Sequence, residues 1–270
     1  MCRVAVILDS TYFEHVPEKF KTKNICTIAL IKNGNNIKFI PDHLKDFELC
    51  FLAVQQDGYS LEYIPDKYKT FKLCSLAVQQ EGSTLKYVPD RLKNFELCSL
   101  AVQQEGDALE YVPDKYKTFE LCSLAVQRNG NNLKYVPERY KSFDLCYQAV
   151  LSQGRAIKFV TKKLITPELC KKAIEENPLS IRYMNKEYLN HDICLFAVEN
   201  LAFTLKYIPE NLKNSQICTI ALHGDIDTFQ YIPDEMKTYE LCFSTIMKCG
   251  SLLEYVPESK KIKICVELQY

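Results

Sequence analysis

Apolar and polar residues follow one pattern along this chain, and the pattern is written out eleven times. In the copy LCSLAVQQEGDALEYVPDKYKTFE, from Leu97 to Glu120, positions 1, 2, 5 and 6 hold Leu97, Cys98, Ala101 and Val102, while positions 13, 16 and 20 hold Leu109, Val112 and Tyr116. The spacing i, i+1, i+4, i+5 marks one face of a helix. Position 22 marks its start: Thr22, Asp46, Thr70, Asn94, Thr118, Ser142, Thr166, Asn190, Asn214 and Thr238 all carry a side-chain oxygen able to accept from free N–H groups of a first turn. Pro167 follows Thr166 at a site where a missing N–H costs nothing. Position 10 is Gly34, Gly58, Gly82, Gly106, Gly130, Gly154 and Gly250, which predicts a left-handed residue ending the helix after about eleven residues. The second apolar set straddles Pro at position 17 (Pro41, Pro65, Pro89, Pro113), which pushes the preceding residue out of the helical region. Two short turns meeting at a corner are expected there.

The register is kept by cysteine. Cys2, Cys26, Cys50, Cys74, Cys98, Cys122, Cys146, Cys170, Cys194, Cys218 and Cys242 recur every 24 residues without a slip. A unit of that length cannot bury its own apolar face and must stack on its neighbours. The expected fold is all-α, a right-curving α-solenoid of eleven 24-residue helical repeats. It forms a single elongated domain over 1–270, with units starting at 1, 25, 49, 73, 97, 121, 145, 169, 193, 217 and 241 and a C-terminal half repeat at 264–270. The rival is a leucine-rich repeat, in which position 4 would point inward and position 5 outward. Here position 4 admits Gln148, Lys172 and Ser244, whereas position 5 is Ala in nearly every copy, so the helical reading stands.

Charge and composition narrow the function classes. Lys plus Arg and Asp plus Glu are both 34, without the electrostatic footprint of a general nucleic-acid or anionic-membrane binder. No stretch approaches the roughly 20 apolar residues of a membrane span. The opening MCRVAVILDS lacks the charged and apolar regions of a signal peptide, so the thirteen cysteines point to a reducing, cytoplasmic setting and not to a disulfide framework. One Cys per repeat, on helices about 8–10 Å apart with no CxxC, suits neither zinc nor disulfides and suits small buried packing residues. Cys249 and Cys265 fall outside the ladder and are better placed to react than its thiols, with a plain exposed cysteine as the favoured reading of both. The four histidines, His15, His43, His191 and His223, occupy different repeat positions, and no catalytic triad, HExxH or phosphate loop is present. A non-enzyme without cofactor or metal is expected.

Position 15 is aromatic in ten copies, which reads as half-buried packing. Position 14 alternates Glu14, Lys38, Glu62, Lys86, Glu110, Lys134, a register device between neighbours. Acids at position 18 and Lys at position 21 fit the dipoles of the short turn. The units at 145–216 break the pattern: Thr161 and Asn185 replace Pro, and Pro178 and Ala202 replace Gly. Residues found in one unit only are how a repeat array becomes specific, so Arg182, Tyr183, Phe196 and Phe203 are the candidate partner-binding residues.

The stretch ALEYVPDKYKTFELCSLAVQRNG, from Ala108 to Gly130, resembles tandem helical repeats of unknown function in proteins of amoeba-infecting giant viruses and amoeba-associated bacteria. That resemblance covers nearly the whole chain. It implies a viral protein of the host cytoplasm or virion, with a host protein as partner, and carries no activity or site residues. The expected function is a protein–protein interaction scaffold, with no nucleic acid and no membrane as partner. A structural rod or virion component is the alternative, and a nucleic-acid-binding array a weaker one.

Overall fold

The structure, a computed structural model, describes residues 2–267. It is all-helical, with no strand among the described residues. It divides into two compact units, Met1–Tyr140 and Lys141–Tyr270. The first holds α1 (Cys2–Leu8), α2 (Lys23–Lys32), α3 (Phe47–Gln56), α4 (Phe71–Gln80), α5 (Phe95–Gln104) and α6 (Phe119–Arg128). The second holds α7 (Phe143–Ser152), α8 (Pro167–Glu176), α9 (His191–Asn200), α10 (Ser215–Gly224), α11 (Tyr239–Lys248) and α12 (Glu258–Glu267). Within each unit, helices of successive repeats pack side by side.

Every predicted cap is in place. The side chains of Thr22, Asp46, Thr70, Asn94, Thr118, Ser142, Thr166, Asn190, Asn214 and Thr238 accept from the backbone N–H three residues on. Each helix from α2 to α11 then runs ten residues and stops at position 8. Position 9 is extended, and where it is Asn33, Asp57, Asn129, Asn177 or Asp225 its side chain accepts from the N–H two residues on. With or without that bond a six-residue 3-10 helix follows, Gly106–Tyr111 in the fifth repeat, and a three-residue one follows the proline, as at Asp114–Tyr116. The corner is the one expected, with Val112 extended before Pro113. Its arms are 3-10 and not α, because buried positions 13 and 16 repeat at three residues, the 3-10 period.

The glycines do something other than expected. No described glycine has a positive φ. Those at position 10 begin the 3-10 segment, and from Gly34 to Gly106 and at Gly154 the role is close approach to the next repeat, whereas a Cβ on Gly250 would meet nothing within 4 Å. A Cβ built on Gly34, Gly82 or Gly154 would collide with the carbonyl oxygen of Ala53, Ala101 or Ala173, and one on Gly58 or Gly106 would lie 2.9 and 3.0 Å from those of Ala77 and Ala125. Position 10 of one unit therefore sits against position 5 of the next, which explains why one is Gly and the other Ala.

The lysines at position 21 are also more than dipole partners. Lys45, Lys93, Lys213 and Lys237 are buried or nearly so, and they donate to the carbonyl oxygens of Tyr63, Tyr111, Tyr231 and Tyr255 at 2.9, 3.2, 2.7 and 2.9 Å. Each also pairs with the acid three residues earlier: Asp42, Asp90, Glu210 and Asp234. A cation thus crosses from one repeat to the backbone of the next. In the repeats where position 21 is Ile165 or Leu189, position 18 is Lys162 or Lys186, so acid and lysine are lost together.

The ladder thiols from Cys26 to Cys242 are buried and reduced; Cys2 is half-exposed. No separate half unit begins at Ile264. Position 22 of the eleventh repeat is Ile262, which cannot cap, so α12 runs unbroken from Glu258 through buried Ile264 and exposed Cys265; residues 268–270 lie outside the described residues.

Candidate functional site

Positions 13 and 16 turn inward in most repeats, as Ile181 and Met184 or Leu205 and Ile208 do, which leaves position 14 exposed and the aromatic at 15 half-buried between them. Stacking brings these pairs into a row. In the first unit the row is self-compensating: Lys86 lies 4.5 Å from the Tyr87 ring centroid, and the Tyr87 hydroxyl donates to Glu62 at 2.8 Å. Among the described residues the alternating charges do not pair with one another, and between Lys86 and Glu62 it is the Tyr87 ring that stands.

In the second unit the row changes character. Position 14 becomes Lys158, Arg182 and Lys206 in succession. Lys158 lies 4.7 Å from the Phe159 ring and 5.0 Å from Tyr183. Arg182 lies 4.7 Å from Tyr183 and 6.0 Å from Tyr207. Lys206 lies 5.5 Å from Phe203 and 5.6 Å from Tyr231. Phe203, at position 11, meets Tyr207 and Tyr231 edge-on at 6.2 and 5.7 Å. Each cation therefore bridges rings of two repeats, worth about 0.5–1 kcal/mol at an exposed site. None of the three cations forms an ion pair among the described residues. Arg155, Lys162 and Lys163 add to the charge, and residues 145–167 contain no acid.

Of the residues singled out from sequence, Arg182, Tyr183 and Phe203 come together on this stripe. Phe196 does not: it is half-buried on α9 and makes no ring contact with them among the described residues. Lys158, Lys206 and Tyr231 complete the stripe and were legible only as ordinary repeat residues, since their signal is four like charges in succession at position 14, from Lys134 to Lys206, and not an unusual residue type.

A second surface lies in the first unit. Phe47, Phe71, Phe95 and Phe119 stand at position 23, the first residue of each helix, and all are more than 40% exposed. Cysteine chemistry is not favoured at the ladder. Burial pushes the thiols of Cys50, Cys74, Cys98, Cys122, Cys170 and Cys194 up to about 11, which suppresses the reactive thiolate. Cys249 is half-exposed, with its Sγ 3.1 Å from the Ser251 hydroxyl, and Cys265 is exposed. Among the described residues no three His, Cys, Asp or Glu side chains converge as a metal site, and no helix is long and apolar enough to cross a membrane.

The chain matches a family model described as a domain of unknown function (DUF4116) over residues 22–69, 71–117, 118–165, 166–213 and 190–237. Each window spans two repeats, running from a cap at position 22 to a position-21 residue in four of the five. No curated protein and no solved structure matches the chain significantly.

Proposed function

Since the chain belongs to the DUF4116 family, we propose that it is a non-catalytic protein-interaction scaffold whose contact surface is the cation–aromatic stripe from Lys158 to Tyr231. The observation that carries this reading is the unpaired succession Lys158, Arg182, Lys206 on half-buried rings, where the first unit alternates its charges. Aromatics and Arg dominate interface energetics when desolvated, and cations already resting on rings lose little freedom on binding. The partner is an acidic, extended protein segment, and the viral setting implied by the resemblance would make it a host protein. Because the cations cover ring faces, stacking of nucleic-acid bases is disfavoured.

The test is fluorescence anisotropy with an acidic peptide containing aromatic residues, beside a single-stranded oligonucleotide of equal charge. Tighter binding of the peptide is expected, weakened at least tenfold by Arg182→Glu with Lys206→Glu. Replacing unit 169–192 by a copy of 97–120 should keep the fold and abolish peptide binding. Equal binding by the swapped chain would remove the stripe from consideration. A structural rod is the second reading, favoured by the exposed Phe row of the first unit. It requires self-association that Phe95→Ser with Phe119→Ser abolishes in light scattering.

A further inference from the structure

Position 10 sits against the backbone of the next helix and is Gly wherever the approach is closest, as Gly154 is against Ala173. In the tenth repeat that position is Ile226. Pro178 and Ala202 take this position where α8 packs on α9 and α9 on α10, but the longer, branched Ile226 adds volume that such a close contact does not hold. α10 and α11 accordingly pack less closely than α8 with α9 or α9 with α10. Position 5 of α11 departs as well, with Thr245 in place of Ala.

The result is a cleft of about 200 Å³ between α10 and α11. Leu222, Ile226, Ile232, Met236 and Leu241 form the apolar part of its wall, and Ser215, Ser244 and Thr245 add hydroxyls. Core positions are uncovered by it. Leu241 is half-buried where Leu145, Leu169, Ile193 and Ile217 at the same position are buried, and Leu222 is half-buried where Val150, Ile174 and Val198 are buried. Cys218, whose thiol sits 3.8 Å from the Met236 sulfur, lines the cleft too, and its 4% exposure compares with 0% for Cys194 and Cys242. The mouth is polar: exposed Thr219 and His223 on α10 face Lys248 on α11, and no carboxylate lines the cleft. Lys248 forms no ion pair among the described residues.

We infer that this cleft binds a small amphipathic carboxylate, its apolar body between Leu222, Ile226 and Met236 and its charged head at Lys248. The volume is somewhat above the roughly 150 Å³ of an apolar cavity that takes up benzene, which sets the body at a single ring or a short alkyl chain. An apolar enclosure with one convergent cation selects an anion at one end of that body. The site is separate from the stripe, and its occupant is a free small molecule.

Calorimetric titration of the full chain with octanoate tests it, with octanol as the uncharged analogue. One saturable site is expected. Lys248→Ala, an exposed change, should weaken octanoate at least tenfold and leave octanol unchanged. Ile226→Gly with Thr245→Ala restores the closely packed pair and should abolish binding of both, with thermal unfolding reporting that the chain stays folded. In parallel, octanoate should slow labelling of Cys218 by a small maleimide, read by peptide mass mapping, without changing the rate at Cys265. Absence of saturable binding, or unchanged affinity in the closed variant, would overturn the assignment.

Discussion

At the scale of single residues, the repeat is defined by what each side chain meets one unit away. Gly34 and Gly82 illustrate why part of this was illegible in sequence: a left-handed stop and a close approach both select Gly, and only the neighbouring Ala carbonyl tells them apart. Lys93 looks in sequence like a local dipole partner because its acceptor, the Tyr111 carbonyl, lies eighteen residues on. Removing it leaves a half-buried carbonyl and Asp90 without their cation, so Lys93→Ala should lose about 1–3 kcal/mol in denaturant unfolding, against well under 1 for exposed Lys86→Ala. Equal losses would reduce Lys93 to a surface charge. A second residue-scale device is a compensating exchange. Ala202 occupies the glycine position, and the residue facing it on the next helix is Gly224, where a Cβ would lie 3.0 Å from that of Ala202. Gly224→Ala should therefore stabilise more in an Ala202→Gly background than alone, with a coupling of about 0.5 kcal/mol or more in a double-mutant cycle. Additive values would mean that the two sites are independent.

Elements were more legible than residues, because a cap or a proline acts within four residues of itself. All ten caps and the corner at position 17 were evident from the chain, whereas the 3-10 character of the corner's arms was not, since apolar residues three apart fit one face of either helix. The proline positions also expose where the divergent repeats gave something up. Asn185 holds φ −70° and ψ 141°, a conformation proline adopts without strain, and Met184 before it is already extended. Asn185→Pro should then raise stability by about 0.4–1 kcal/mol by restricting the unfolded chain, at the cost of one exposed hydrogen bond from Asn185 to Glu187. Thermal unfolding of that variant decides the matter, and a lowered midpoint would mean that the eighth-repeat corner differs from the nine prolyl ones in more than sequence. The candidate stripe belongs to this scale too: Arg182 and Phe203 stood out as departures, but Lys158 and Lys206 acquire meaning only when three successive turns are aligned.

For the molecule as a whole, one thiol per repeat makes alkaline stability a collective property. A cysteine ordinarily ionises near 9.0, and burial raises Cys50, Cys74, Cys98, Cys122, Cys170 and Cys194 to about 11. Between those values the unfolded chain releases protons that the folded chain keeps, so stability is intact below pH 9 and falls as the pH rises toward 11. Six thiols falling together make the loss steep, although each alone would be modest. Cys98→Ala with Cys122→Ala removes two of them. At neutral pH that variant should lose stability through the small cavities it creates, yet from pH 9 to 11 its stability should decline less steeply than that of the unaltered chain, measured by urea unfolding under reducing conditions at a series of pH values. Parallel curves for the two proteins would mean that the ladder thiols are not the groups that titrate, and alkaline loss would then have to come from the lysines that cross between repeats.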